Sequence, residues 1–239
     1  MRIISCVPSI SELVFELNPE FLIGRTKFCI YPDTIKSVPS VGGTKTLDIL
    51  KIKALQPDLV IFVREENEKS QVDEISDNFE VKVFDIQNLN DSLDMISAVG
   101  EILLKARQAN SLISKIKKQK TRLPFFEEKT VVYMIWQKPW MTIGGDTFIS
   151  SILTEIGLVN LFSSQIRYPE ISDLQQLKEL KPDFIFLSSE PFPFTEIHKS
   201  KLQEALPASK VLLVDGTYFS WYGSRIAHSW SYFESLIKT

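Results

Sequence analysis

Residues 54–62 read ALQPDLVIF and residues 179–187 read ELKPDFIFL, with Pro57 and Pro182 standing 125 positions apart. Each phrase follows a short amphipathic segment of helical type, and each Pro-Asp pair precedes a continuous apolar run. Such a run, bounded by turn residues, is typical of a strand buried in a parallel sheet. The repeat therefore predicts an α/β protein with two similar parallel-sheet lobes and a ligand cleft between them.

The same alternation of strands and helices continues on both sides of the two phrases. Ser9 and Glu12 fit a capping box at the start of the first predicted helix. Between residues 89 and 120, apolar side chains recur at spacings of three and four with no proline. This pattern predicts one rigid helix on the order of 45 Å long. The expected domains are an N-terminal lobe over 1–88, a bridging helix over 89–120 and a C-terminal lobe over 121–239.

Composition and charge exclude several functional classes. The 239-residue chain has a net charge of −3, and its longest basic stretch is KIKKQK (115–120), so nucleic acid is not an expected partner. It has no run of about 18 apolar residues, so no membrane span is predicted. The opening MRIISCVPSIS lacks the pattern of a signal peptide. The sequence as it stands predicts a cytoplasmic monomer, or a periplasmic or cell-surface protein if a signal was trimmed.

Residues for catalysis or metal binding are not found in any recognisable arrangement. His198 and His228 are the only histidines, and neither has a cysteine or histidine at ligand spacing. The two cysteines, Cys6 and Cys29, are too few for a metal cage or a disulfide framework. The chain has neither a glycine-rich nucleotide loop nor a nucleophile elbow. These features predict no catalytic residue, no metal site and a protein that is not an enzyme.

Candidate ligand contacts are expected where the predicted strands end, because α/β sheets bind ligands beyond the carboxyl ends of their strands. Residues 1–120 hold seven aromatic side chains and residues 121–239 hold nineteen, several of them in loops rich in glycine and proline. Such loops predict a wall for a large flat or apolar ligand. The competing interpretation is that these rings pack the loops onto their own sheets, and that Arg225 pairs with a carboxylate instead of a ligand. The candidate ligand-binding residues are Ser9, Tyr31, Gly43, Thr44, Lys45, Glu66, Trp140, Arg167, Tyr168, Phe192, Tyr218, Trp221, Tyr222 and Arg225.

Two stretches carry a family resemblance, RIISCVPSISELVFEL (2–17) and the segment from FLIG (21–24) to VGGTKT (41–46) and the first Pro-Asp phrase. They resemble the substrate-binding proteins of vitamin B12 and iron-siderophore ABC importers, the class III or helical-backbone metal receptor group, and in particular its cobalamin-binding branch. The resemblance covers nearly the whole chain. It implies two α/β lobes bridged by a rigid helix, no required cofactor, and a bound cobalamin or other metal chelate as ligand.

The resemblance also bears on a transporter partner. In such importers a glutamate on each lobe, on the helix ahead of each Pro-Asp phrase, meets an arginine of the permease. Aligned through Pro57 and Pro182, these positions hold Leu50 and Gln175 in this sequence. The resemblance to the family's Gly-x-Arg pattern assigns Gly223 and Arg225 to the start of the last helix. An ABC permease is therefore an expected partner, and this protein would have to dock to it without the paired glutamates.

Three functional hypotheses follow. The first is a non-catalytic substrate-binding protein that holds a corrinoid or another metal chelate for ABC-type import. The second is a cytoplasmic protein on the same fold that handles corrinoids or tetrapyrroles, or assists an enzyme, and does not dock to a transporter. The third is a divalent-metal receptor of the related histidine-ligand type, which the positions of the two histidines disfavour.

Overall fold

A computed structural model describes residues 1–122, 126–127 and 129–238 of the chain. It consists of two compact units. The first contains Met1–Ile86, Asn90–Lys120 and Trp221–His228, and the second contains Gln87–Leu89, Thr121–Ser220 and Ser229–Thr239. Each unit has a four-stranded parallel sheet as its centre. The predicted α/β class with parallel sheets is confirmed, whereas the domain boundaries drawn from the sequence stay a prediction.

The first sheet has the strand order β2-β1-β5-β6, and a two-stranded hairpin, β3-β4, stands beside it. Its core contains Ile4, Val60 and Phe62, all with no exposed surface. The strands are β1 (Ile3–Ser5), β2 (Leu22–Arg25), β3 (Gly42–Gly43), β4 (Thr46–Leu47), β5 (Leu59–Val63) and β6 (Glu80–Phe84). The helices up to residue 120 are α1 (Pro8–Leu17), α2 (Ile49–Leu55), α3 (Lys69–Ser76), α4 (Leu89–Ile102) and α5 (Ala106–Lys120).

The second sheet has the strand order β12-β11-β7-β9, with β10 and β8 paired separately and antiparallel. Its core contains Val132, Ile185 and Leu187, which are fully buried. The strands are β7 (Thr130–Met134), β8 (Trp140–Met141), β9 (Val159–Asn160), β10 (Glu170–Ile171), β11 (Phe184–Ser188) and β12 (Lys210–Val214). The remaining helices are α6 (Phe148–Glu155), α7 (Leu174–Leu180), α8 (Glu196–Ala205), α9 (Thr217–Ser220) and α10 (Ile226–Ile237).

The repeated phrase forms the same structure in both units. Helices α2 and α7 are each seven residues long, and each begins with an aspartate cap. Asp48 accepts from the Lys51 amide at 3.0 Å, and Asp173 accepts from the Gln176 amide at 3.0 Å. An aspartate at this position satisfies a helix amide that would otherwise lack a partner. The repeat found in the sequence is therefore a repeat of local hydrogen bonding as well as of hydrophobic pattern.

The aspartate of each Pro-Asp pair holds the neighbouring strand. Asp58 Oδ2 accepts from the Arg2 amide at 2.7 Å, just before β1, and Asp183 Oδ2 accepts from the Thr130 amide at 2.8 Å, at the start of β7. The Thr130 amide and hydroxyl are the main reasons why the pKa of Asp183 lies below its ordinary value. Because β1 pairs with β5 and β7 with β11, each carboxylate fixes the register of the two central strands.

The segment 89–120 is helical for most of its length, but the prediction of one uninterrupted helix was wrong. Helix α4 ends at Ile102 and α5 begins at Ala106, with Leu104 between them in a left-handed conformation (φ 56°). The Lys105 amide donates to the Gly100 carbonyl at 2.7 Å. A Cβ placed on Gly100 would lie 2.3 Å from the Ala109 Cβ, so the glycine permits a close approach of α5.

The predicted capping box at Ser9 was also wrong. Helix α1 begins at Pro8, and its cap residue is Val7, which makes no side-chain capping bond. Proline is well suited to the first helical position because it has no amide proton to leave unsatisfied. Ser9 consequently lies inside the first turn, and Glu12 is available for a different interaction.

Within the described residues, no helix combines the length and the apolar character that crossing a bilayer requires.

Candidate ligand-binding site

Asn67 organises the carboxyl edge of the first sheet. Its Oδ1 accepts from the Val63 amide at 2.9 Å, and its Nδ2 donates to the carbonyls of Cys6, at 3.2 Å, and Thr44, at 2.9 Å. The side chain is buried and thereby joins the ends of β1 and β5 to the β3–β4 hairpin. The predicted candidates at positions 43–45 therefore lie at the edge where α/β sheets bind ligands.

The glycine hairpin packs against the loop that follows β2. A Cβ on Gly43 would lie 3.3 Å from the Phe28 ring and 2.8 Å from the Thr46 hydroxyl, so a side chain here would force both neighbours to shift. Three apolar residues of the loop are exposed: Phe28 at 50%, Ile30 at 41% and Tyr31 at 36%. The exposed Phe28 ring therefore lies beside the hairpin, and Tyr31 is exposed in the same loop. Lys45 extends into solvent, 3.7 Å from Glu68.

Arg225 forms a buried ion pair with Glu12. Its Nε and Nη2 donate to the two carboxylate oxygens at 3.0 Å and 2.7 Å. The guanidinium also lies over the Tyr31 ring, with Cζ 3.9 Å from the ring centroid, and 5.0 Å from the Trp221 centroid. We call Glu12, Tyr31, Trp221 and Arg225 the Glu12–Arg225 cluster. The carboxylate pairing given as the competing interpretation of Arg225 is present, and a contact of Arg225 with ligand stays a prediction.

Tyr222 is buried beside this cluster and donates from its phenol to Glu66 Oε1 at 2.5 Å. Burial, followed by the negative charge of Glu66, raises the pKa of Tyr222 well above its ordinary value. The phenol therefore stays protonated and acts as a donor. Ser9, buried in the first turn of α1, adjoins this pair, and its hydroxyl opposes the shift. The structure thus brings together Ser9, Tyr31, Glu66, Trp221, Tyr222 and Arg225 among the predicted residues.

In the second unit, several loop aromatics pack on one another. Trp140 stacks on Phe194 with parallel rings 6.2 Å apart, and Phe192 contacts Phe194 at 4.7 Å and Trp136 at 5.7 Å. Trp140 and Phe192 also pack against the apolar core. These contacts match the competing interpretation, in which the rings attach loops to their own sheet. Trp136 is 39% exposed, so its ring is partly open to solvent at the edge of this cluster.

The other predicted residues of the second unit lie elsewhere. Tyr218 stacks on Tyr232, with 4.4 Å between ring centroids. Arg167 has a left-handed backbone (φ 56°), and its amide donates to Asp146 Oδ1 at 2.6 Å. Its neighbour Tyr168 is 39% exposed. The ligand contacts of these residues stay predictions.

Three residues with evident places in these clusters were absent from the sequence-based candidates, namely Glu12, Phe28 and Trp136. Phe28 and Trp136 each follow a strand, and that position was the available signal. Glu12 gave no signal, because its partner lies 213 positions away in the sequence. In the part of the chain that the structure describes, no three histidine, cysteine or acidic side chains form a group able to hold a metal ion.

The family model described as "Periplasmic binding protein" matches residues 3–212. The chain belongs to the periplasmic binding protein family. Among curated relatives, this family member is 27% identical over 185 residues to a vitamin B12-binding protein of Salmonella typhi, a match that covers 74% of this chain and 68% of the relative.

Solved structures share the fold of this periplasmic binding protein. The periplasmic vitamin B12-binding protein BtuF of Vibrio cholerae is 20% identical, with a TM-score of 0.79 and coverage of 99% of this chain and 96% of BtuF. The periplasmic heme-binding protein HutB of Vibrio cholerae is 19% identical, with a TM-score of 0.83 and coverage of 100% and 99%. At these identities the likeness establishes a common fold.

Proposed function

We propose that this protein is a substrate-binding protein that captures a corrinoid, or a related flat metal chelate, for ABC-type import. The observation that carries this proposal is the exposed Phe28 ring beside the glycine hairpin at the carboxyl edge of the first sheet, with the exposed Tyr31 ring in the same loop. Relatives named vitamin B12-binding proteins support the choice of ligand class.

The chemistry of a corrinoid suits such a surface. A flat macrocycle offers a broad apolar face, which aromatic side chains bind well, and a fringe of amide groups that need hydrogen-bond partners. Gly42 is partly exposed, whereas Gly43 is buried next to the Thr46 and Phe28 side chains, so Gly42 is the part of the hairpin backbone that is open to such a partner. The same features suit binding without turnover.

Heme is the second candidate ligand, and Tyr31 is the observation that favours it. Tyrosine is one of the side chains that ligate heme iron in proteins. The Arg225 guanidinium lies 3.9 Å from the Tyr31 ring centroid and packs against the ring, and Tyr31 is 36% exposed. The phenol of Tyr31 would be essential to such a complex, whereas a corrinoid, which brings its own cobalt ligands, would use only the ring.

Titration with cobalamin, cobinamide, heme and a ferric siderophore tests both candidates. We expect cobalamin and cobinamide to quench tryptophan fluorescence with a dissociation constant of about 1 μM or below, or about −8 kcal/mol. Free N-acetyltryptophanamide corrects for absorption by the ligand. Tyr31→Phe should leave corrinoid affinity within about threefold, and should abolish the tyrosinate charge-transfer band if heme is bound. Failure of all four ligands to bind below about 100 μM would contradict the proposed function.

Delivery to a permease is a separate part of the proposal. Leu50 is 80% exposed on α2, and Gln175 is exposed on α7, where its amide donates to Glu179 at 3.1 Å. Neither side chain can form an ion pair with a permease arginine. Charges at the rim of an interface mainly fix orientation and speed encounter, and each exposed pair contributes about 0–1 kcal/mol.

The double variant Leu50→Glu, Gln175→Glu should therefore stimulate the ATPase of a B12-type importer up to about tenfold more than the unchanged protein does. The unchanged protein should stimulate this ATPase only weakly. The measurement is ATP hydrolysis by the importer in liposomes, with ligand affinity measured in parallel and expected to be unchanged. Leu50→Gln with unchanged Gln175 is the uncharged control. Strong stimulation by the unchanged protein, without a gain in the double variant, would show that docking uses other residues.

A further inference from the structure

The Glu12–Arg225 cluster holds a guanidinium in one defined plane. Two parallel N–H···O bonds, 3.0 Å and 2.7 Å long, join Arg225 to both carboxylate oxygens of Glu12. The two side chains are 9% and 13% exposed. A fork of this kind fixes the orientation of the guanidinium as well as its position, which an ammonium group would not do.

The Tyr31 and Trp221 rings pack against the Arg225 guanidinium that Glu12 orients. Arg225 Cζ lies 3.9 Å from the Tyr31 centroid and 5.0 Å from the Trp221 centroid, and the two rings meet edge to face at 5.8 Å and 71°. Trp221 is 7% exposed, whereas Tyr31 is 36% exposed. Trp221 and the guanidinium therefore form the support, and Tyr31 presents the outward surface.

We propose that Glu12 is a positioning residue for ligand binding: by orienting the Arg225 guanidinium it holds Tyr31 and Trp221 as one preformed aromatic wall. The inference rests on the proposed function, because the ligand that binds this wall is the corrinoid or related chelate proposed above. Glu12 does not itself contact the ligand. Its effect is to remove the cost of ordering the two rings when the ligand binds.

The stability of the fold alone gives no reason for a buried ion pair here. Replacing both members of such a pair with apolar side chains of similar volume is often neutral or stabilising, whereas removing one member is costly. An arginine stacked on aromatic rings is attracted to their faces, and that contribution grows when the site is desolvated. The double replacement therefore separates the two roles, because it retains the fold while removing the element that orders the rings.

The test uses a double variant in which Glu12→Leu and Arg225→Met are combined in the full chain. This variant is compared with the unchanged protein. Glu16→Gln is the control, because Glu16 lies on the same helix and is exposed. Three quantities are measured: the melting temperature, the affinity for cobinamide, and the 5-fluorotryptophan resonance of Trp221, assigned with Trp221→Phe. The resonance is recorded without ligand, so it reports on the wall whether or not a ligand is known.

We expect the double variant to melt within about 5 °C of the unchanged protein, to bind cobinamide about tenfold more weakly, and to show a shifted or broadened Trp221 resonance. Glu16→Gln should change neither the cobinamide affinity nor the Trp221 resonance. Unchanged affinity with an unchanged resonance would overturn the inference. If the double variant does not fold, Glu12→Gln, which keeps the size of the side chain and removes its charge, is held to the same two criteria. If the protein binds none of the four ligands, the proposed function and the ligand role of the wall are refuted. A changed Trp221 resonance in the double variant would still support the ordering of Trp221 by Glu12.

Discussion

Arg225→Met, made alone, is expected to lower the free energy of unfolding by about 3–5 kcal/mol, because it leaves the Glu12 carboxylate buried without its cation. The Glu12 side chain is only 13% exposed, so water can replace little of what the guanidinium supplies. Urea unfolding followed by circular dichroism measures the loss. Adding Glu12→Leu should recover most of it, since no charge is then left in the protein interior.

This loss should depend on pH. Burial raises the pKa of Glu12, while the hydrogen bond and the charge of Arg225 lower it; Glu16 adds to the rise and His228 opposes it. Without Arg225 the pKa rises further. For a carboxyl group whose pKa is higher in the folded state, the stabilisation is fully present below the unfolded pKa and is lost as pH rises through the folded pKa.

The difference in the free energy of unfolding between the unchanged protein and Arg225→Met should therefore be small at acidic pH and grow towards neutral pH. His228 is exposed and its charge acts on Glu12, so the comparison is repeated with His228→Gln in both chains. The double variant with Glu12→Leu, which has no carboxyl group at this position, should show no such trend. A deficit of equal size at all pH values would contradict a buried, unpaired Glu12 as its cause.

Gly100→Ala is expected to destabilise the protein by about 1–3 kcal/mol, although alanine is the better helix former by about 1 kcal/mol. The added Cβ would lie 2.3 Å from the Ala109 Cβ, and α4 and α5 would have to separate. The next nearest atoms, Ala106 Cα and the Lys105 carbonyl oxygen, lie at 3.6 Å, which is an ordinary contact. The clash thus depends on one methyl group.

The exchange of the two residues, Gly100→Ala with Ala109→Gly, should consequently restore stability to within about 1 kcal/mol of the unchanged protein, because the pair still has one glycine and one alanine and the clash is removed. Ala109→Gly alone is the control for lost helix propensity and should cost about 1 kcal/mol. Thermal and urea unfolding give the four values of the double-mutant cycle. An exchanged variant no more stable than Gly100→Ala would show that the contact with Ala109 is not the source of the cost.

The features that could be predicted from the sequence are those set by neighbouring residues. The two Pro-Asp phrases indicated buried strands because turn residues, helix caps and apolar runs act over a few positions, and Asp48 and Asp173 do cap their helices. The break after Ile102 could not be read from periodicity, because α4 and α5 both bury apolar faces and the spacing continues across the turn. Gly100 was its only local sign.

The site was harder to predict because its residues come from distant parts of the chain. Loop composition identified aromatic residues, but it could not separate Trp140, which stacks on Phe194 against the core, from Trp136, which is exposed. The pairing of Glu12 with Arg225 depends on how the chain returns to the first unit. Such a pairing is a property of the tertiary fold, and no local pattern records it.

That return of the chain affects how the protein is made. Trp221–His228 belongs to the first unit, whose other residues all lie before position 121. A ribosome synthesises the chain from its amino terminus. After Lys120, about a hundred further residues are therefore added before Trp221 and Arg225, the last part of the first unit, are synthesised. During that interval Glu12 lacks the Arg225 guanidinium, and Tyr31 lacks its contact with Trp221. Nascent chains that end before residue 221 therefore lack part of the first unit, and its assembly is completed only near the end of translation.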